Sequence, residues 1–323
     1  MGLYTPLHEI AQSYVDWALS DHPRIPTGFP MFDQRTEGGA ALGEVILFQC
    51  RSQVGKTTWG INVVNNNPDI ATCFFSLEMH GRYILHRLAG VHTNVPTSAI
   101  YRRLKEQKET SEIRTAVQHF PHLAIIDKPA LSIKEMDTAL TEIETAWRRP
   151  VQLVVIDFME LIGGIPSLND MNKVDSLARK LKDFARHRDM VVIVLHQVSR
   201  GAGSAGHEPL DITSGRFGGE VSADYVMSAY RPCLRPGISQ DEYLRTNSQF
   251  FLQFLKTRGG SEIHPEGMLH HLNTESLRLS EWRNEHLQLF APVPPAPELV
   301  RADAEALWGE NVSPEYDFSE EPF

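Results

Sequence analysis

The run Cys50-Arg-Ser-Gln-Val-Gly55-Lys56-Thr57-Thr58 narrows the fold more than any other part of this 323-residue chain. An apolar stretch leads into it and a helix-period stretch leaves it. Glycine, lysine and a hydroxyl residue between a strand and a helix form the pattern of a loop that wraps phosphates. Backbone N–H groups and the following helix N-terminus turn partial positive charge toward the anion. On this pattern Gly55 allows close backbone approach, Lys56 reaches the outer phosphates, and Thr57 offers its hydroxyl to Mg²⁺. Arg51, Ser52, Gln53, Val54 and Thr58 complete the loop, and the small residue Cys50 stands where such loops usually have their first glycine.

From residue 44 onward short apolar runs alternate with amphipathic stretches. Strands are expected at Glu44–Gln49, Ala71–Ser76, Leu123–Asp127, Leu153–Asp157, Val191–His196, Tyr225–Tyr230 and Phe250–Lys256. Helices are expected at about 56–66, 80–90, 98–119, 132–147 and 170–187. Such alternation marks an α/β fold with a mostly parallel central sheet flanked by helices. A continuous run such as Leu153-Val-Val-Ile suits a strand buried on both faces.

Four further segments bear on the chemistry. Leu153-Val-Val-Ile-Asp157 ends a buried strand in a carboxylate about a hundred residues after the loop, and Asp157 is the matching Mg²⁺ residue. Cys73-Phe-Phe-Ser-Leu-Glu78-Met79 puts a carboxylate just past a strand read as the neighbour of the loop strand. Glu78 is therefore the candidate base for the attacking water, with a surface helix-capping glutamate as the plain alternative. Val192-Ile-Val-Leu-His196-Gln197 ends a strand in an amide that can sit beside the γ-phosphate, while His196 reads as a packed or hydrogen-bonded strand-end residue rather than a ligand. In Phe254-Leu-Lys256-Thr-Arg258-Gly-Gly, Lys256 and Arg258 are two apart on a strand and share a side. An arginine presented to a neighbour's triphosphate stabilises transition-state charge, an effect of roughly 10³–10⁵ in rate. Taken alone, the pair would read as an exposed cationic strand end.

Composition bounds the setting. With 31 Lys+Arg against 41 Asp+Glu the net charge is −10. The stretch from Glu298 to Phe323 holds eight acids and one base, hence −7, which leaves −3 for residues 1–297. The body thus does not announce a nucleic-acid binder by bulk charge, although a local basic groove remains compatible. No apolar run reaches the roughly 18 residues of a membrane span, and the start has no secretory pattern. Cys50, Cys73 and Cys233 are too few and scattered for a disulfide frame or a four-cysteine zinc site, which fits a reducing, cytoplasmic location.

In order and spacing these segments resemble the ATPase domain of DnaB-type replicative helicases. The likeness runs from Ile25-Pro-Thr-Gly-Phe-Pro-Met-Phe-Asp33 through Gly43-Glu-Val-Ile, Phe74-Phe-Ser-Leu-Glu-Met79, Ile125-Ile-Asp127 and Val154-Val-Ile-Asp-Phe-Met-Glu-Leu-Ile162. It continues through Leu195-His-Gln197 and Ala223-Asp-Tyr-Val226 to Lys256-Thr-Arg258. The resemblance implies a RecA-like core that assembles as a homohexameric ring with ATP between subunits. Lys56, Thr57, Glu78, Asp157 and Gln197 would act from one side, Lys256 and Arg258 from the next subunit. It implies that single-stranded DNA threads the centre, held by loops following residues 164 and 199, with 5′→3′ movement that displaces the other strand. The family's DNA-contact residues are replaced here by Thr213-Ser-Gly-Arg-Phe-Gly218, which makes Arg216 the substitute candidate and Arg200 the second.

The organisation expected on this resemblance has three parts. Residues 1–24 are a linker helix over 7–19 with its tether; the alternative is a helix packed on its own domain. Residues 25–290 are the ATPase domain. Residues 291–323 are a Pro-rich spacer, a short helix and a disordered acidic tail. The family's N-terminal collar domain has no counterpart before residue 25, as in collarless versions from bacterial viruses, whose site of action would be the host cytoplasm. The tail ends in Pro322-Phe323, and Phe323 with Phe318 is expected to dock on a polymerase, primase or helicase loader. Alternatively it only solubilises the chain. Two other functions stay open: a RecA-like recombinase or strand-pairing ATPase that forms filaments, and an ATP-gated DNA clamp or adaptor that does not unwind.

Overall fold

A computed structural model describes residues 6–19, 24–163, 170–198, 206–211, 222–258 and 263–283. Arg200, Arg216, Phe318 and Phe323 lie outside the described residues, as does the acidic tail.

Helix α1 (Leu7–Ala18) comes first, followed by the short antiparallel pair β1 (Arg24–Ile25) and β2 (Ala40–Ala41) around α2 (Pro30–Arg35). Next come β3 (Val45–Cys50), α3 (Lys56–Asn65), β4 (Thr72–Ser76), α4 (Gly81–Thr93), α5 (Thr97–Gln107), α6 (Ser111–His119) and β5 (Leu123–Ile126). Then follow α7 (Ile133–Trp147), β6 (Leu153–Asp157), α8 (Asp170–Arg188), β7 (Val191–Gln197) and β8 (Tyr225–Tyr230). The described chain closes with α9 (Gln240–Thr246), β9 (Gln249–Thr257), β10 (His264–Leu272) and β11 (Leu279–Glu281).

The large sheet has nine strands in the order β11-β10-β9-β8-β3-β7-β6-β4-β5. From β8 to β5 all neighbours run parallel, while β9, β10 and β11 add an antiparallel edge. Strands β3, β4, β6 and β8 are buried at every residue, as uninterrupted apolar runs require when helices cover both faces. One face packs on α3 and α4, where the Trp59 ring stacks on Phe48 at 4.1 Å. The other packs on α7 and α8 through Met136, Leu140, Leu177 and Leu181.

Three expectations need correction. The stretch 98–119 is two helices, because Lys108 takes a left-handed conformation (φ 54°) that ends α5 before α6 begins. Strand β4 is not the neighbour of the loop strand β3; β7 and β6 lie between them. Helix α1 has no buried residue and leaves Leu7, Ile10, Tyr14 and Val15 exposed, so it does not pack on its own domain. Arg24 lies over the Trp17 ring at 5.6 Å.

The motif Ile25–Asp33 is architectural. The Asp33 carboxylate accepts from Thr27 N (2.7 Å), Thr27 Oγ1 (2.8 Å) and Gly28 N (2.8 Å), which fixes the turn ahead of α2. Cys50, Cys73 and Cys233 are all free and buried, and burial pushes the Cys50 thiol up to about 12. Among the described residues no helix is long and apolar enough to cross a membrane.

Candidate nucleotide site

Parallel strands bring their carboxyl ends to one edge of a sheet, where ligands of open α/β folds bind. Here the register sets Gln197 beside Cys50, Asp157 beside Leu195 and Ser76 beside Asp157. Four segments far apart in the chain therefore meet at one edge. An open cleft of about 320 Å³ lies over them, lined by Ser52, Gln53, Gly55, Lys56, Thr57 and Thr58 of the loop and by Glu78, Met79, Arg87, Gln197 and Leu277. Arg51 and Val54 do not line it; Val54 is fully buried in the core.

Gly55 has φ 123°, a conformation that L side chains rarely adopt, and a Cβ there would press on the Phe250 ring at 3.3 Å. The loop backbone can hold this shape only with glycine. Helix α3 starts at Lys56 on the lining of the cleft, which puts a helix N-terminus, a favourable end for an anion, beside it. Lys56 is nearly buried, with Nζ donating to Gln197 Oε1 at 3.4 Å.

Thr57 Oγ1 donates to Asp157 Oδ2 at 2.7 Å. Burial holds the Asp157 carboxyl above its usual range, against the Thr57 hydrogen bond and the nearby Lys56 charge. Its Oδ1 is buried and meets no donor. A hydroxyl beside a carboxylate with an unused oxygen is a hard-oxygen donor set that suits Mg²⁺. Among the described residues no group of three or more His, Cys, Asp or Glu could hold a metal ion alone, so the remaining ligands would come from phosphate and water.

Glu78 is exposed at the cleft, in a turn fixed from both sides. Leu77 N donates to Asp157 O (2.7 Å), Ser76 Oγ to Met79 O (2.6 Å) and Gly81 N to Asp127 Oδ2 (2.8 Å).

Lys256 and Arg258 do not reach this cleft. Thr257 pairs with Tyr225, which pairs with Ile46, so the end of β9 is level with the start of β3. The phosphate loop leaves the other end of that strand, about 17 Å away at roughly 3.3 Å per residue. Lys256 Nζ donates to Ala223 O at 2.8 Å and Arg258 to Asp224 Oδ1 at 2.8 Å.

Residues 24–263 match the family model described as the DnaB-like helicase C terminal domain. The chain belongs to this family. It is 28% identical over 219 residues to the replicative DNA helicase DnaB of Treponema pallidum, covering 66% of this chain and 49% of that one. The replicative DNA helicase DnaB of Synechocystis sp. is 26% identical over 211 residues, with 64% and 24% covered. The replicative DNA helicase DnaC of Bacillus subtilis is 26% identical over 216 residues, with 64% and 47% covered. The chain spans half or less of the length of these curated relatives. A solved ATPase domain aligns with TM-score 0.70 at 20% identity, over 87% of this chain and 100% of that one. A solved DnaB-like replicative helicase, described with its interactions with primase, aligns with TM-score 0.68 at 21% identity, over 87% and 68%. These structural likenesses establish the fold, RecA-like α/β.

Within the DnaB-like domain, Arg87 and Leu277 line the cleft and Glu160 holds the Gln197 backbone beside it, none of them singled out by sequence patterning. Arg87 reaches it from α4, and its charge acts on Asp157. Glu160 follows β6 in a short 3₁₀ turn; its Oε1 accepts from Gln197 N (2.9 Å) and lies 2.8 Å from His196 Nδ1. Leu277 comes from the β10–β11 turn, which α3 tethers through Asn62: Nδ2 donates to Leu277 O and Oδ1 accepts from Leu279 N, both at 2.9 Å. The signal for Arg87 and Glu160 was their closeness to Glu78 and Asp157 in the chain.

Proposed function

We propose that this chain is the ATP-hydrolysing motor of a ring-shaped replicative DNA helicase. The observation that carries the reading is the division of polar and charged groups between two edges of one sheet. Lys56, Thr57, Glu78, Asp157 and Gln197 gather at the carboxyl ends of the strands, and Lys256 and Arg258 stand at the opposite ends. One chain therefore holds most of a phosphoryl-transfer site, and a second copy supplies the missing cations.

In this reading the loop N–H groups and Lys56 bind and orient the triphosphate. Thr57 and Asp157 hold Mg²⁺, which neutralises charge developing on the phosphate oxygens. Glu78 takes the proton of the attacking water, and Gln197 senses the γ-phosphate from the end of β7. Arg258 of a second copy stabilises the transition state. Family membership, the relatives' names and helix α1, which leaves Leu7, Ile10, Tyr14 and Val15 exposed, support a six-membered ring on single-stranded DNA. They favour it over a recombinase filament or a clamp that does not unwind. The 5′→3′ direction, the DNA contacts of Arg200 and Arg216, and docking of the Phe318 and Phe323 tail on primase, polymerase or a loader are part of the same proposal.

The test uses the full chain with forked DNA bearing a 5′ or a 3′ tail. ATP-dependent unwinding of the 5′-tailed fork, and its loss in Lys56→Ala, is the expected result. Hydrolysis without unwinding of either fork sinks the helicase reading and leaves the clamp; no hydrolysis in any assembly sinks both.

A further inference from the structure

Asp224 sits just before β8 with its side chain 2% exposed, and three donors converge on it. Val45 N, the first amide of β3, donates to Oδ2 at 2.8 Å. Lys182 Nζ of α8 donates to the same oxygen at 2.6 Å and to Gly43 O at 2.8 Å. Arg258 donates to Oδ1 at 2.8 Å. The residue before it, Ala223, gives its carbonyl to Lys256.

A buried carboxylate needs a buried counter-charge, and Lys182, 15% exposed, already supplies one. Arg258 is 60% exposed, so it is not needed to neutralise the anion. Among the described residues it meets Asp224 through one nitrogen on one oxygen, and most of its side chain is open to solvent. That is the arrangement a presented arginine requires: a fixed base and a free guanidinium edge, with the entropy of the long side chain already lost. The anchor is itself rigid, because Asp224 is clamped to β3, the strand that carries the phosphate loop at its other end.

We infer that Asp224 is the positioning residue for Arg258, aiming its guanidinium at the nucleotide of a second copy of this chain. The inference rests on the shared-site reading above, and the experiment separates the two. Asp224→Asn is chosen for its chemistry. Its Oδ1 can still accept from Val45 N and Lys182, which turns the amide nitrogen toward Arg258, a donor facing a donor. The arginine loses its anchor while β3 keeps its first hydrogen bond.

Full-length subunits carrying Lys56→Ala, unable to turn over ATP themselves, are mixed in excess with wild-type subunits as arginine donors. Turnover per wild-type site is measured together with ring formation and the KM for ATP. Lys56→Ala donors should sustain turnover. Lys56→Ala/Arg258→Ala donors should abolish it, and Lys56→Ala/Asp224→Asn donors should lower it at least tenfold with KM within about twofold. Adding Asp224→Asn to donors already lacking Arg258 should change nothing further. Full turnover with Asp224→Asn donors, while Arg258→Ala donors fail, overturns the positioning role alone. Full turnover with Arg258→Ala donors overturns the shared-site reading beneath it. Should Asp224→Asn subunits not fold, the Asp224→Asn/Lys182→Met pair removes the buried anion together with its buried cation and goes through the same comparison.

Discussion

Thr57 and Asp157 are joined by a 2.7 Å hydrogen bond although a hundred residues separate them. The bond ties the first turn of α3 to the end of β6 across the intervening strand β7. It holds a carboxylate with no solvent exposure, and one oxygen of that carboxylate has no donor. An ionised group left so is a stability cost that a bound cation relieves.

The first prediction follows from the sign of that cost. Burial raises the Asp157 pKa above the usual carboxylate range, so the folded chain holds that proton more tightly than the unfolded chain does. Its contribution to stability is complete below the unfolded pKa and is lost as pH rises through the folded one. Asparagine mimics the protonated form at every pH. Nucleotide-free Asp157→Asn should therefore melt above the wild type at pH 7, by about 1.4 kcal/mol for each unit of displacement. The gap should narrow as pH is lowered toward 4. Thermal melts without nucleotide or Mg²⁺ at several pH values check this; an equal or lower melting temperature at pH 7 counts against it.

Glu78 reaches the cleft from a turn tied to Asp157 by the Leu77 amide, so its backbone does not depend on its own side chain. Glu78→Gln keeps the shape and removes the base. Turnover should fall by about 10²–10⁴, while the affinity for ATP stays near wild type. Equilibrium binding of a fluorescent ATP analogue beside steady-state hydrolysis separates the two effects. A parallel loss of binding would return Glu78 to a structural role.

Arg87 lines the cleft from α4, facing the same space as Lys56. A guanidinium so placed should meet nucleotide phosphate, and a hydrogen bond to a charged group is worth about 1.5–3 kcal/mol. Arg87→Ala should weaken ATP binding by about 10–100-fold, with a smaller effect on turnover at saturation. Calorimetry with a non-hydrolysable analogue gives the answer, and unchanged affinity excludes phosphate contact.

Much of the parallel core could be read from the chain. Strands β6 and β8 have the expected bounds because each is an apolar run buried on both faces, a signal that needs no partner. The phosphate loop announces itself through Gly55, Lys56 and Thr57 for the same local reason. What escaped depends on neighbours distant in sequence. Strand β10 contains His264, Pro265, Gly267, His270 and His271 and shows no clean alternation, so only its pairing with β9 and β11 makes it a strand. The break at Lys108 lacks a glycine or proline to mark it. Asp224 looks like any polar residue at a strand start until Val45, Lys182 and Arg258 close around it.

Glu160 is the clearest case of a site residue defined by strand order. Because β6 and β7 are adjacent, its carboxylate can accept the Gln197 amide and sit beside His196, which fixes the last residues of β7. The Gln197 side chain in turn meets Lys56. Loss of the carboxylate should let the end of β7 move and misplace the Gln197 amide. Glu160→Ala is expected to lower turnover by about 10–100-fold, the upper figure being what a misplacement of about 1 Å in an active site can cost. Glu160→Gln keeps an acceptor for the Gln197 N–H and should be milder. If Glu160 acts through Gln197, the two alanine substitutions must be non-additive: Glu160→Ala should cost little more in a Gln197→Ala background. Measured kcat values for the two singles and the double complete the cycle. Strict additivity would place Glu160 on a separate path, because two groups that work through one amide cannot both be lost at full cost.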